Sequence, residues 1–291
     1  MQFGRLGVFT FTDTLSPAQL STLAQTVETQ GYSTLWYPEA FTYEAFAIGG
    51  YLLNHSKKLI VASGIANIYA RDPMTSAMGH NSLNTMYGGR FVLGLGVSHA
   101  PMVSDMRGHE YKSPVATMKA HLDGMDAAWK AMKSTVSKQV VLAALGPQMS
   151  KLSADRTLGA FPYNITPEHV TAAREVMGSK GAIICEQKVC VTTDPVVARK
   201  VARAGLAPYL TLPNYCNHWL RLGFDKSDIA NGGSDRLMDA MVFWGTADQI
   251  KSKLKAYFDN GANQVVIQPF RADGEMSPDF GALEALASLN N

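Results

Sequence analysis

Three cysteines in 291 residues leave little room for cysteine chemistry. Cys185, Cys190 and Cys216 cannot all pair, and none stands in a CxxC spacing, which argues against a disulfide frame or a zinc site and for reduced thiols. Cys185 and Cys190 lie in an apolar strand and read as packed core thiols. Charge of one sign is also missing: the net charge is +2 and no basic run concentrates it, so nucleic acid has no electrostatic footprint to meet. No uninterrupted apolar run of roughly 18 to 20 residues is present to span a bilayer. The opening MQFGRLGVFTF starts almost at once with a strand and lacks the regions of a signal peptide. The expectation is a cytoplasmic protein that meets a small molecule, without nucleic-acid or membrane partners. Familiar catalytic signatures are absent too. There is no His-x-His after the first strand, no HExxH and no GxSxG, which removes the usual support for metal-dependent hydrolysis and for serine acyl chemistry.

What is there is a recurring strand and helix grammar. Leu59 to Ser98 reads as strand, ordered loop, helix, glycine turn and strand, with polar or glycine residues wherever a strand finishes. Upstream, Arg5 to Phe11 is β-rich, and Ser16-Pro17-Ala18-Gln19 opens a helix with a cap, a proline at the first helical position and a glutamine three residues after the cap. Ser33 to Tyr37 is a second strand. Downstream, Phe91 to Leu95, Val140 to Ala144, a weak Leu158 to Phe161, Ala182 to Val191 and Gln264 to Gln268 complete eight strands separated by helices. Right-handed crossovers between them make a parallel (β/α)8 TIM barrel the expected fold, an α/β architecture in which residues 1–291 form one domain. Leu206 to Gly245 exceeds the minimal count. It reads as a helical insertion before the last βα unit that caps a barrel end or meets a partner subunit.

A barrel builds its site where strands end. After strand two comes Glu39 among aromatics, either an acid or base with a raised pKa, or an ion pair or helix cap. After strand three, Gly64 marks a bulge, a close backbone approach to a ligand or a packing glycine. Arg71 is open between an anion clamp and a salt bridge with Asp72 or another nearby acid. Gly94-Leu95-Gly96-Val97-Ser98-His99 offers backbone N–H groups to an anion, and His99 is a ligand contact, a proton shuttle or a structural imidazole. A Schiff-base lysine would be wanted near a strand end; Lys188 lies within the seventh strand, where alternation could as easily point it outward.

GYSTLWYPEAF, ASGIANIYARDP, GGRFVLGLGVSHAP, VLAALGPQM and LGAFPYNITPEHV occur in this order at characteristic intervals, and the likeness continues through APYLTLPNYCNHWLRLGF and GGSDRLMDAMVFWG. In these motifs the chain resembles the luciferase-like oxidoreductase superfamily, and within it the branch dependent on the deazaflavin coenzyme F420. The resemblance implies a luciferase-like TIM barrel with an insertion, a homodimer, and F420 or alternatively FMN bound at the strand C-termini. It implies a non-prolyl cis peptide in a bulge after strand three, matched by Gly64-Ile65 and continued through Asn67 and Arg71. It also matches Gly96, Val97 and Ser98 to a loop at the cofactor tail, Ala144, Leu145 and Gly146 to the ring edge, and Glu39 to an acid near the ring. Several relatives carry a histidine just after that acid. Here the position is Ala40, so Glu39 or His99 is expected to handle the proton, and no metal is implied. Hydride transfer between F420 and a small organic substrate is the activity the resemblance implies. Reduced-FMN monooxygenation with oxygen and non-catalytic flavin binding are its alternatives.

Overall fold

The computed structural model describes residues 2–290. Its strands are β1 (Leu6–Phe9), β2 (Thr34–Tyr37), β3 (Ile60–Ser63), β4 (Ala66–Asn67), β5 (Phe91–Gly96), β6 (Val140–Leu142), β7 (Gly159–Ala160), β8 (Ala182–Val191), β9 (Val242–Gly245) and β10 (Gln264–Pro269). All pair in parallel, and β10 lies between β8 and β1 to close the ring. β3 and β4 are two halves of one barrel strand. They are separated at Gly64–Ile65, whose peptide is cis as the resemblance implied. The result is a closed parallel barrel of eight strands with alternating helices, the expected fold.

Helix starts follow the local chemistry. Ser16 and Gln19 form a reciprocal capping box, Thr246 and Gln249 form another, and the Asp72 carboxylate accepts the Thr75 N–H. Proline stands in the first turn of most helices, where its missing N–H costs nothing. Strand alternation then sorts side chains into two layers. Leu6, Val8, Leu35, Val61, Leu93, Leu142 and Val265 face the helices. Phe9, Trp36, Ala62, Val92, Val141, Phe161, Ile184 and Val266 fill the interior. Trp36 and Phe161 stack there at 4.4 Å with 10° between their planes. Beside them, a Cβ on Gly94 would stand 1.9 Å from the Ser63 carbonyl oxygen, so only glycine lets β5 pass β3 at this point.

The insertion departs from its expected form. It holds helices Pro213–Arg221, Lys226–Ile229 and Asp235–Met241, but its last four residues are β9 rather than helix. Lys188 and Val189 are in register with β10 on one side and with β9 on the other, so β9 extends the sheet on the side where β7 pairs lower down. The aromatic and β-branched run Val242-Phe243-Trp244 explains the strand. It follows Met241 with no turn residue between, which hid the change of structure. The insertion has its own apolar core of Tyr215, Trp219, Phe224, Leu237, Met238 and Met241 against Cys190 and Leu206.

Four histidines are buried in this framework. Burial holds His80, His121 and His169 down to about 4 and His218 down to about 3. His169 and His218 meet edge to face at 4.8 Å where the helix Pro167–Met177 touches the insertion. All four are neutral in the fold and protonate readily once unfolded. The stability they confer is therefore complete above the ordinary imidazole pKa and falls as pH drops from about 6.5 towards 4, at about 1.4 kcal/mol per unit of depression for each group. Acid unfolding is expected within that window. Circular dichroism followed from pH 7 to 3.5 checks it, and an intact near-ultraviolet spectrum at pH 4 would contradict it.

Candidate active site

Carried upward from the filled interior, alternation decides which residues reach the C-terminal mouth. On the β2 to β6 side they are Pro38, Gly64, Gly94, Gly96 and Ala143, all small. Ile65 covers Gly96, where a Cβ would come within 2.4 Å of it, and the Phe161 and Phe9 rings lie 3.0 and 3.2 Å from where a Gly64 Cβ would stand. On the β7, β8 and β10 side they are Tyr163, Glu186, Lys188 and Gln268, with Phe11 of the first strand end beside Phe9. The mouth is therefore glycine-lined on one half and aromatic and polar on the other.

The polar half is a connected network. Lys188 Nζ donates to Asn164 Oδ1 at 2.5 Å and to both Glu186 oxygens at 3.1 and 3.2 Å. It also lies 3.8 Å above the Tyr163 ring. Glu186 and Lys188 are each 1% exposed. Burial raises the Glu186 carboxyl and lowers the Lys188 ammonium, and each charge partly offsets the shift of the other. The Tyr163 hydroxyl donates to Gln268 Oε1 at 3.1 Å and meets the Tyr209 hydroxyl of the insertion at 3.2 Å. Trp219 Nε1 donates to the Asn164 carbonyl at 3.1 Å, so the insertion is tied to this network twice. Tyr209 and Tyr215 meet at 5.0 Å, and Tyr215 continues the row to the His99 ring at 5.6 Å.

The residues singled out from sequence fall into separate groups. Gly64, Ile65 and Gly96 come together at the open half. Glu39, Asn67 and Arg71 form a cluster on its helix side. One Glu39 oxygen accepts the Asn67 N–H at 2.8 Å, and the other accepts the Ala45 N–H at 3.3 Å and pairs with Arg71. Arg71 also pairs with Glu44 at 2.9 Å and donates to the Asn67 carbonyl at 3.3 Å. Both charged groups are thus engaged as an ion pair and a brace on the strand crossover, the structural alternative left open for each. Meanwhile Glu39 N–H donates to the Ile65 carbonyl at 3.2 Å, completing the hold.

On the loop after β5, Val97 packs towards the helix layer, and Ser98 adopts a left-handed φ of 57° with its carbonyl accepting from the Tyr111 hydroxyl at 3.4 Å. Burial lowers the pKa of His99, partly countered by its bond with Asn214, so the ring is a neutral imidazole against Tyr215. On the β6 edge, Ala144 belongs to the outer core and Gly146 caps the helix Pro147–Arg156; Ala143 is the residue turned to the mouth. Lys188 faces inward, as Ile184 and Glu186 do on the same side of the strand. Sequence reasoning missed Tyr163, Asn164, Glu186 and Gln268. The available signal was Glu186 and Lys188, opposite charges at alternate positions of a strand that is apolar apart from them and Gln187.

Over residues 1–264 the chain matches the family described as luciferase-like monooxygenase. The chain belongs to that family. It is accordingly an enzyme of the luciferase-like class. A relative, a putative coenzyme F420-dependent oxidoreductase of Mycobacterium tuberculosis, is 22% identical over 330 aligned positions, covering 92% of this chain and 94% of its own. Among solved structures, an F420-dependent secondary alcohol dehydrogenase in complex with an F420-acetone adduct superposes with a TM-score of 0.73 at 16% identity, covering 99% of this chain and 98% of that one. The FMN complex of the oxygenating component of 3,6-diketocamphane monooxygenase from Pseudomonas putida also superposes with a TM-score of 0.73, at 13% identity over 98% and 96% of the two chains. These superpositions establish the shared luciferase-like barrel.

The Glu39 brace makes a stability prediction. Glu39→Ala leaves the Arg71 charge and the Asn67 N–H short of a buried partner, which costs about 3 kcal/mol. The urea midpoint is expected to fall accordingly, with Glu39→Gln in between. Unchanged stability with lost turnover in Glu39→Gln would instead make this carboxylate a catalytic group.

Proposed function

We propose that this enzyme binds a tricyclic flavin-type ring, with coenzyme F420 as the cofactor, and moves a hydride between it and a small organic substrate. The observation that carries this reading is the one-sided mouth. Gly64, Gly94, Gly96 and Ala143 make a side-chain-poor shelf at the ends of β3, β5 and β6, with the Phe9 and Phe161 rings against Gly64, Ile65 against Gly96, and the Tyr163 hydroxyl bonded to Gln268 at the β10 end. A flat ring fits such a shelf, and the loop through Val97 and Ser98 lies at the end of β5 where a cofactor tail would leave. When bound, the cofactor supplies the two-electron chemistry. The chain's residues orient the ring, keep water out with the Tyr163, Tyr209 and Tyr215 cluster, and handle one proton. The F420-dependent names of the sequence relative and of the alcohol dehydrogenase support the same reading.

A second reading is reduced-FMN monooxygenation. The FMN-bound structural neighbour favours it, as does the aromatic wall, because an oxygenating flavin needs a dry pocket. Spectral titration of the purified chain separates the two. F420 is expected to bind with a perturbed absorption band while FMN does not. Tight binding of FMN alone would move the assignment to the monooxygenase reading, and binding of neither would overturn both.

A further inference from the structure

We infer that Tyr163, backed by the buried Lys188 and Glu186 pair, is the proton donor and acceptor of the barrel mouth. This rests on the reading above, and it specifies the substrate end of the reaction as a carbonyl and alcohol couple. Three candidates exist for the proton. Both Glu39 oxygens are engaged on the helix side of the wall with Asn67, Ala45 and Arg71. His99 is an imidazole whose pKa burial has lowered, packed on Tyr215. Tyr163 carries a half-buried ionisable hydroxyl on the inner face of the mouth beside a fully buried charge pair; it is bonded to Gln268 and the Tyr209 hydroxyl, and its O–H turns from Gln268 to a substrate oxygen by rotation about the C–O bond.

Exposure fixes the division of labour. Lys188, Glu186 and Asn164 are between 1% and 2% exposed. The Lys188 ammonium donates to Asn164 and to both oxygens of Glu186, which accounts for its hydrogens. It has no spare N–H for a substrate and no path past the tyrosine rings. Its charge nevertheless lies 3.8 Å from the Tyr163 ring and 5.9 Å from that of Tyr209. Burial holds the Tyr163 phenol well above its ordinary pKa, and the nearby Tyr209, Glu186 and Tyr215 push it further up. The phenol is therefore protonated at neutral pH, as a donor must be. The same ammonium stabilises a phenolate more than a phenol, because attraction to a full negative charge exceeds attraction to a ring quadrupole.

In the reductive direction the bound cofactor would supply the hydride, losing a C–H bond and two electrons, and the carbonyl carbon would gain that C–H bond as the C=O π pair moves to oxygen. The Tyr163 O–H bond breaks, a new O–H bond forms on the substrate, and the electron pair left on the tyrosine oxygen sits beside Lys188. The Tyr209 hydroxyl, 3.2 Å away, is placed to return a proton from solvent. Oxidation of the alcohol runs the same path backwards. In this scheme Tyr163 is the catalytic residue and Lys188 a positioning residue that sets its acidity.

The test does not depend on turnover. With 3-nitrotyrosine at position 163, whose phenolate absorbs in the visible, titration of the apo protein reads that oxygen directly. Lys188→Met is expected to raise the midpoint by about one pH unit, a tenfold loss of acidity, and Lys188→Arg to restore most of it. A Lys188→Met shift smaller than about half a unit overturns the proposal. Because Lys188→Met also leaves Glu186 unpaired, the Glu186→Gln/Lys188→Met double variant is titrated against Glu186→Gln alone and must lie above it by about the same one unit. In turnover with acetone, cyclohexanone and benzaldehyde, Tyr163→Phe should lower kcat by roughly 100-fold while F420 affinity stays within about twofold. A kcat unchanged in Tyr163→Phe overturns the proposal even if the titration shifts. Failure of wild type to bind F420 is the separate failure of the cofactor reading, and the titration still decides the proton assignment.

Discussion

The stacked contact between Trp36 and Phe161, with Phe9 against both strands' ends, closes the barrel below its mouth. Everything about the site follows from that plug. An eight-stranded parallel barrel has room inside only for side chains. With the middle layer filled by Phe9, Trp36 and Phe161 from the β1, β2 and β7 strand lines, the β3, β5 and β6 strands between β2 and β7 contribute the smaller Ala62, Val92 and Val141. The same asymmetry carries one layer up. The β3, β5 and β6 ends present glycines and Ala143, whereas β7, β8 and β10 present Tyr163, Glu186 and Gln268. A shelf and a polar wall facing each other are thus the rim's version of how the core below is packed.

Much of the fold was legible because local signals agreed with one another. The Ser16 to Gln19 capping box, the Asp72-Pro73 and Thr246 helix starts and the continuous apolar strands all stand where the sequence pattern put them. β9 was not legible, since a strand that follows a helix with no turn residue has no boundary to read. The site was legible only in outline. Which side of a strand a residue faces depends on register, and a one-residue difference exchanges wall for mouth. That is why Ala143 rather than Ala144 faces the mouth, and why Glu39, an odd-numbered neighbour of Tyr37, turns to the helices with it. Lys188 was ambiguous for the same reason until Ile184, two pairs of residues below, fixed the inward face.

The insertion does more than cover an end. Its Trp219 holds the Asn164 carbonyl, its Tyr209 meets Tyr163, and its Tyr215 packs on His99, so it touches the polar wall at two points and the loop after β5 at a third. Its strand β9 is in register with Lys188 itself. The environment of Tyr163 is therefore built by barrel and insertion together. The Glu39 and Arg71 brace plays the corresponding part on the opposite side, where it holds the Gly64 to Asn67 crossover and with it the position of Ile65.

The central claim is geometric: a planar ring lies on the glycine-lined half of the mouth, between Ile65 and Tyr163. A crystal structure of the chain with its bound cofactor tests this most directly. The account predicts the ring against Ile65 and above Gly64, Gly96 and Ala143, with the Tyr163 hydroxyl across the substrate space from it. A ring seated against Lys188 and Gln268 instead, or outside the mouth altogether, would contradict it.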